Sequence, residues 1–303
     1  MLCNLECSMV FRSLVVGTDF SPEAELAVRH AAHLAQITAG SLTLVHAGTV
    51  IDMPTATEEM RSATYTRMYE EYLGEVREKL ATARSSAELH GVAAQQRLVD
   101  GFADTAIPRA ARELGADLVA VGSHGRTGLR RLLLGSVAER VVRLSSSSVL
   151  VAREPTPHPG YHRVLVPVDF SRAAELALAS ARMLAAPGAT VEVMHAWQPP
   201  PASRYAVMDR DIPSVADRLA ASSRYQASRA GEELIERHRR DGINLRFRAA
   251  RGTAAAAIAE RAAEGFDLVI VGSHEPRGLR RLIRGSVAES AVRHVPCSVL
   301  VVR

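Results

Sequence analysis

Apolar residues along the chain fall into short runs that alternate with stretches of helical period. Leu14 to Gly17 is apolar without interruption, as a strand buried on both faces would be. A Ser21-Pro22 start signal then opens Pro22 to Ala39, where apolar residues recur at helical spacing. The pattern predicts strands over Ser41 to Val45 and Ala94 to Val99, with a long charged helical region, Glu58 to His90, between them. Ala103 to Leu114 is predicted helical, Asp117 to Val121 a strand apolar on both faces, Ser136 to Leu144 helical, and Ser148 to Ala152 a closing strand. Five strands separated by four helices call for parallel pairing through helical crossovers. The expected unit is a doubly wound α/β domain whose sheet is covered on both sides.

The pattern then repeats. Val-Gly-Thr-Asp19-Phe20-Ser21 returns as Val-Pro-Val-Asp169-Phe170-Ser171, 150 positions on, and Val-Leu-Val-Ala-Arg153 returns as Val-Leu-Val-Val-Arg303 at the same offset. Strands are expected near Val164 to Val168, Thr190 to His195, Ile243 to Phe247, Asp267 to Val271 and Ser298 to Val302. Glu154-Pro-Thr-Pro-His-Pro-Gly160 forbids regular structure and reads as the join. The chain is therefore predicted to hold two tandem α/β domains, over 10–153 and 163–303, joined by a linker over 154–162.

Composition narrows the function classes. With 47% hydrophobic and 23% charged residues, and no apolar run of the roughly 20 residues that span a bilayer, the sequence predicts a globular protein without a membrane segment. The start lacks the basic region and apolar core of a signal peptide, so a cytoplasmic location is expected. Cys3, Cys7 and Cys297 have neither disulfide nor zinc spacing and read as unpaired thiols. Lys79 is the only lysine among 37 basic residues, which excludes a Walker-type phosphate lysine and leaves no desolvated amine for Schiff-base chemistry. The net charge of +4 is spread over both halves with only 4% aromatic residues, so nucleic acid is not an expected partner.

The stretch with most chemistry runs from Gly122-Ser123-His124-Gly125 to Gly135-Ser136. In doubly wound sheets, ligands bind beyond the carboxyl ends of the strands where strand order reverses. Glycines let backbone N–H groups approach an anion, and the helix opening at Gly135-Ser136 adds unsatisfied donors and partial positive charge. Asp19, after the first strand, either accepts hydrogen bonds from ribose hydroxyls or caps the helix that starts at Pro22. The backbone near Ala47 would face a base. His124 and His274 lack a nucleophile or acid at a telling spacing, so loop-structural roles are expected; His46 and His195 are read as packing residues. Arg126, Arg130 and Arg131 read as a solvated face.

Gly122, Gly125, Gly135 and Ser136 fit a Gly-x2-Gly-x9-Gly-Ser signature, and with the flanking Val-Gly-Ser-His-Gly-Arg-Thr-Gly-Leu and Leu-Leu-Gly-Ser-Val-Ala-Glu the chain resembles the universal stress protein family in its tandem form. The resemblance covers nearly the whole chain. It implies a Rossmann-like fold of the adenine nucleotide alpha-hydrolase type, with five strands ordered 3-2-1-4-5 in each domain, ATP as ligand, and dimerisation through the fifth strand. Carried over, Asp19 would contact ribose, Ala47 would line the adenine pocket, and Gly122, His124 and Gly125 would meet the phosphates. Gly135, Ser136 and Val137 would complete the phosphate site, with Mg2+ accompanying the nucleotide. Gly17 departs from the pattern, since many relatives place proline there, as the second repeat does at Pro167.

The second copy keeps Asp169, Ala196, Gly272, Gly285 and Ser286 but has Glu275 in the place of Gly125, followed by Pro276. A carboxylate there would repel phosphate and place a side chain where close approach or a positive φ is needed, so one competent ATP site per chain is expected. The function expected first is an ATP-binding regulatory sensor in stress response with little or no hydrolysis. A slow ATP hydrolase and a nucleotide-independent adaptor remain alternatives. Pairing of the apolar fifth strands would give an intrachain pseudo-dimer, with a homodimer of chains also open.

Overall fold

The computed structural model describes residues 11–48, 63–89, 91–125, 134–155, 160–199, 212–239, 242–273 and 287–303. The chain divides into two compact units, Val10–Thr156 and Pro157–Arg303. In the first unit the order is β1 (Ser13–Gly17), α1 (Pro22–Thr38), β2 (Ser41–Gly48), α2 (Ala63–Leu89), β3 (Ala94–Asp100), α3 (Ala103–Glu113), β4 (Leu118–Gly122), α4 (Ser136–Leu144) and β5 (Ser148–Ala152). The strands lie in the order β3-β2-β1-β4-β5, all parallel. Right-handed crossovers put α1 and α2 on one face and α3 and α4 on the other. The packing of α1 on α2 and of α3 on α4 follows that division.

Strand β1 is apolar on both faces because both are covered: Leu14, Val15 and Val16 are buried, as are Leu118 to Val121 of β4. Each such leucine or valine side chain contributes about 1.5–3 kcal/mol relative to exposure. Helix α1 starts where Ser21 accepts a bond from the Ala24 N–H, with Pro22 at its first position, and stops at Ala39, which is left-handed at φ 50. Helix α2 has the charged face its sequence predicts; residues 58–62 lie outside the described part of the chain. Lys79 on this helix is exposed and 4.0 Å from Glu75.

The second unit comprises β6 (Tyr161–Pro167), α5 (Arg172–Leu184), β7 (Ala185–Trp197), α6 (Ile212–His238), β8 (Asn244–Arg251), α7 (Ala254–Ala262), β9 (Leu268–Gly272), α8 (Val287–His294) and β10 (Ser298–Val302). Its order, β8-β7-β6-β9-β10, repeats that of the first. Strand β7 begins earlier than the expected Thr190, because Ala185 pairs with Tyr161 directly after α5 and the register shifts before Arg163 meets Thr190. In both units an aspartate ties the start of the first strand to the fourth. Asp117 Oδ2 accepts from the N–H groups of Arg12 and Ser13, and Asp267 accepts from those of His162 and Arg163.

The second unit also buries an ion pair. Glu192 of β7 is bound by Arg261 of α7 through two bonds, of 2.7 and 2.5 Å, with side-chain exposures of 9% and 16%. The Arg261 guanidinium also lies 5.2 Å from the ring centre of Phe266. Breaking such a pair strands a charge in low dielectric, whereas replacing both members by apolar groups of similar volume does not. Arg261→Met is expected to destabilise the chain by about 3 kcal/mol, and Glu192→Leu with Arg261→Met to recover most of that loss; urea unfolding of the three proteins measures both.

Candidate functional site

The C-terminal ends of β1, β2 and β4 come together with the N-termini of α1 and α4 in the first unit, and the residues after β1 are locked in place. The Thr18 N–H donates to the Val45 carbonyl at 2.9 Å and the Phe20 N–H to Thr18 Oγ1 at 3.1 Å. Phe20 sits at φ 65, a left-handed conformation that costs a non-glycine residue roughly 1 kcal/mol or more. Its ring stacks on His46, centroids 4.6 Å apart, and His46 Nδ1 donates to the Thr18 carbonyl at 2.7 Å. The second unit repeats the device with Phe170 at φ 62, its ring 4.7 Å from His195, and His195 Nδ1 2.8 Å from the Val168 carbonyl. Both histidines are thus clamps on a strained turn.

That turn separates the two roles considered for Asp19. The cap of α1 is Ser21, and Asp19 Oδ1 accepts from the Ser21 N–H at 3.0 Å and from Ser21 Oγ at 2.5 Å. Asp19 Oδ2 is turned toward the glycine loop. A Cβ on Gly125 would lie 2.6 Å from Asp19 Oδ2, so acid and loop touch only because position 125 has no side chain. Gly125 is not in the left-handed region; of the two reasons considered for its glycine, close approach is the one that applies.

The other glycines of the loop have different neighbours. A Cβ on Gly122 would lie 2.7 Å from the backbone carbonyl of Glu23, where the first turn of α1 seats on the end of β4. Gly272 meets the backbone of Ala173 in the same way in the second unit. Gly135 is the N-cap of α4 and makes no side-chain cap; its own N–H donates to the Ser123 carbonyl at 2.8 Å, which brings the residue after β4 to the start of α4. Ser136 and Val137 open the helix and are exposed, and the amides of a first turn have no acceptor within the helix. Ala47 stands on β2, two strands from β4, joined to the turn through its neighbour His46.

His124 Nδ1 is 2.9 Å from Ser123 Oγ, and His124 Nε2 is shielded from water with no hydrogen-bond partner among the described residues. Burial, and then the positive charge of Arg153, hold its pKa below the ordinary histidine value, with Glu23 opposing. Arg153 and Glu23 therefore belong to the surroundings of the loop. The sequence carried a signal for the first, since Arg153 recurs as Arg303 at the end of the repeated strand, but none for the second. Arg126, Arg130 and Arg131 lie outside the described residues, as do His274, Glu275, Pro276, Gly285 and Ser286 of the second copy. Of that copy, Asp169 accepts from the Ser171 N–H at 3.1 Å and is exposed, where Asp19 is half-buried.

A family model for the universal stress protein family matches residues 11–153 and again 160–303. The chain belongs to the universal stress protein family. A universal stress protein of Mycolicibacterium smegmatis is 27% identical over 299 residues, covering 96% of this chain and 96% of its own length. A single-domain universal stress protein of Methanocaldococcus jannaschii is 29% identical over 160 residues, covering 48% of this chain and 97% of its own. A solved universal stress protein from Archaeoglobus fulgidus has the same fold, with a TM-score of 0.61 at 21% identity over 96% of this chain and 97% of that one. Two universal stress domains in tandem thus account for the repeat. No described helix is long and apolar enough to cross a membrane.

Behind the loop, His30 of α1 is fully buried, with Nε2 3.1 Å from the Arg153 carbonyl. Its pKa is lowered to about 4, chiefly by burial, with His33 and Arg29 adding repulsion. The matching position on α5 is Ser180, which bonds to Leu176 of its own helix. Because the unfolded chain binds this proton more readily, His30 stabilises the fold above pH ~6.5 and loses that contribution as pH falls toward 4. Urea titrations between pH 7.5 and 4.5 are expected to show a loss of about 3 kcal/mol at most, and His30→Ser to flatten the dependence.

Proposed function

We propose that the first unit binds ATP and acts as a regulatory nucleotide sensor in stress response, with little or no hydrolysis. The observation that carries this reading is the approach of the Asp19 carboxylate to the bare Gly125 backbone, beside a helix that starts at Gly135 and Ser136 without a side-chain cap. A carboxylate anchors ribose hydroxyls, and uncapped helix amides favour an anion. From Ala47 on β2 to the loop after β4 is two strand spacings, about 10 Å, which suits a nucleoside lying across β1 with its phosphates toward α4.

In this reading Asp19 holds ribose and Ala47 lies against adenine. Gly122, His124, Gly125, Gly135, Ser136 and Val137 surround the phosphates, mainly through backbone atoms. Magnesium would arrive with ATP, because no cluster of three His, Cys, Asp or Glu side chains among the described residues is arranged to hold a metal alone. Hydrolysis needs an oriented water and a charge stabiliser. His124 is a weakened base for that purpose, since burial and then the charge of Arg153 hold its pKa below the ordinary histidine value.

The second site is proposed to be silent. Glutamate at position 125 would set its Cβ against Asp19 Oδ2 and add a second carboxylate, and Glu275 stands at the corresponding place. We also propose that β5 and β10, apolar edge strands of their own sheets, are shielded by pairing with each other, since an unpaired apolar edge invites aggregation. Isothermal titration of Mg-ATP into nucleotide-stripped protein is expected to give one site per chain, and Gly125→Glu to abolish it. Absence of binding in the parent protein would replace this reading with that of a nucleotide-independent adaptor.

A further inference from the structure

Strands β1 to β4 run parallel, so the residues that follow their C-terminal ends share one rim. Phe102 lies on that rim, after β3, at the N-cap of α3. It is 73% exposed, more than any other large apolar side chain among the described residues. It also leaves α3 without a side-chain cap, whereas α7, the matching helix of the second unit, starts at Thr253, whose hydroxyl accepts from the Ala256 N–H at 3.4 Å. The first unit therefore gives up stability in two ways at one position, by forgoing a cap and by holding a phenyl ring in water. Local rules broken without compensation in the fold point to a ligand.

The neighbouring backbone bonds place Phe102 close to the end of β2. The Gly101 N–H donates to the Gly48 carbonyl at 3.4 Å, so Phe102 is one residue from a link to the end of β2, next to Ala47. A Cβ on Gly48 would lie 3.3 Å from Tyr72 Oη, so that side of the strand end faces α2. In the second unit the equivalent bond runs from the Gly252 N–H to the carbonyl of Trp197 at 3.0 Å, with the aromatic residue on the strand and the polar one at the cap. Asp104, two residues after Phe102, pairs with Arg140 of α4 at 3.0 Å, which ties the start of α3 to the helix that begins at Ser136.

We propose that Phe102 is a binding residue whose ring stacks on the base of the nucleotide, on the open side of the rim beside Ala47 and Gly48. The inference rests on the nucleotide reading of the first unit and adds to it a stacking platform that the second unit lacks at this position. Stacking on an aromatic face tolerates any base. Phe102 accordingly sets how strongly a nucleobase is held, and leaves the choice among bases to the strand end.

The test titrates ATP, and separately inorganic tripolyphosphate, into the full chain carrying Phe102, Phe102→Thr or Phe102→Trp. Phe102→Thr is expected to weaken ATP about tenfold, leave tripolyphosphate unchanged, and raise the unfolding midpoint through the restored cap, which separates lost stacking from misfolding. Phe102→Trp is expected to keep ATP affinity and to show fluorescence quenched by ATP but not by tripolyphosphate. Equal ATP affinity in the parent protein and Phe102→Thr would overturn the proposal while the nucleotide site stands, even if self-association changed. A parallel loss for tripolyphosphate would also overturn it, since Phe102 would then shape the loop rather than meet a base. Failure of the parent protein to bind ATP at all would remove the nucleotide reading itself, and this inference with it.

Discussion

The candidate site depends on how closely the first turn of α1 seats on the end of β4. No side chain intervenes there: a Cβ on Gly122 would fall 2.7 Å from the Glu23 carbonyl, well inside van der Waals contact. The seat fixes where α1 begins, and hence how sharply the chain must turn after β1. The left-handed Phe20 and its clamp on His46 make that turn possible, and the turn delivers the Asp19 carboxylate to Gly125. A methyl group at position 122 would lift the helix and undo each later contact in order. Gly272 against Ala173 shows that the second unit is built on the same seat.

Much of this was legible in the sequence where burial leaves a plain signature. Strands β1, β4, β5, β9 and β10 are apolar on both faces, and their predicted limits lie within a residue or so of those observed. The start of β7 is not legible in the sequence because Ala185 to Ala189 has no apolar run; its pairing with Tyr161 is a tertiary fact. Within the site, spacing alone offers Asp19 two roles, and only the structure assigns the cap to Ser21. The positive φ of Phe20 left no trace in composition, since phenylalanine is not a residue that advertises a left-handed turn. Arg153 and Glu23 act on His124 through space, across more than a hundred residues in one case, which no local pattern encodes.

The two units have kept one frame and changed its contents. Both retain the aspartate that staples the first strand to the fourth, the strained phenylalanine, and the histidine beneath it. They differ in the burial of Asp19 and Asp169, in His30 against Ser180, and in the ion pair of Glu192 with Arg261, which only the second unit possesses. The retained features hold the backbone. The altered ones change charge, titration and surface, which a fixed backbone can accommodate.

Such divergence has a genetic precondition. A dimer of identical chains must present every feature twice, so a change that empties one pocket empties both. Joining two copies in one polypeptide removes that symmetry, because codon 125 and codon 275 then mutate independently while the halves are always made in equal number. The tandem arrangement is thus what permits a glycine to persist in one loop and a glutamate in the other. An assembly of separate subunits could reach the same state only by keeping two genes in balanced expression.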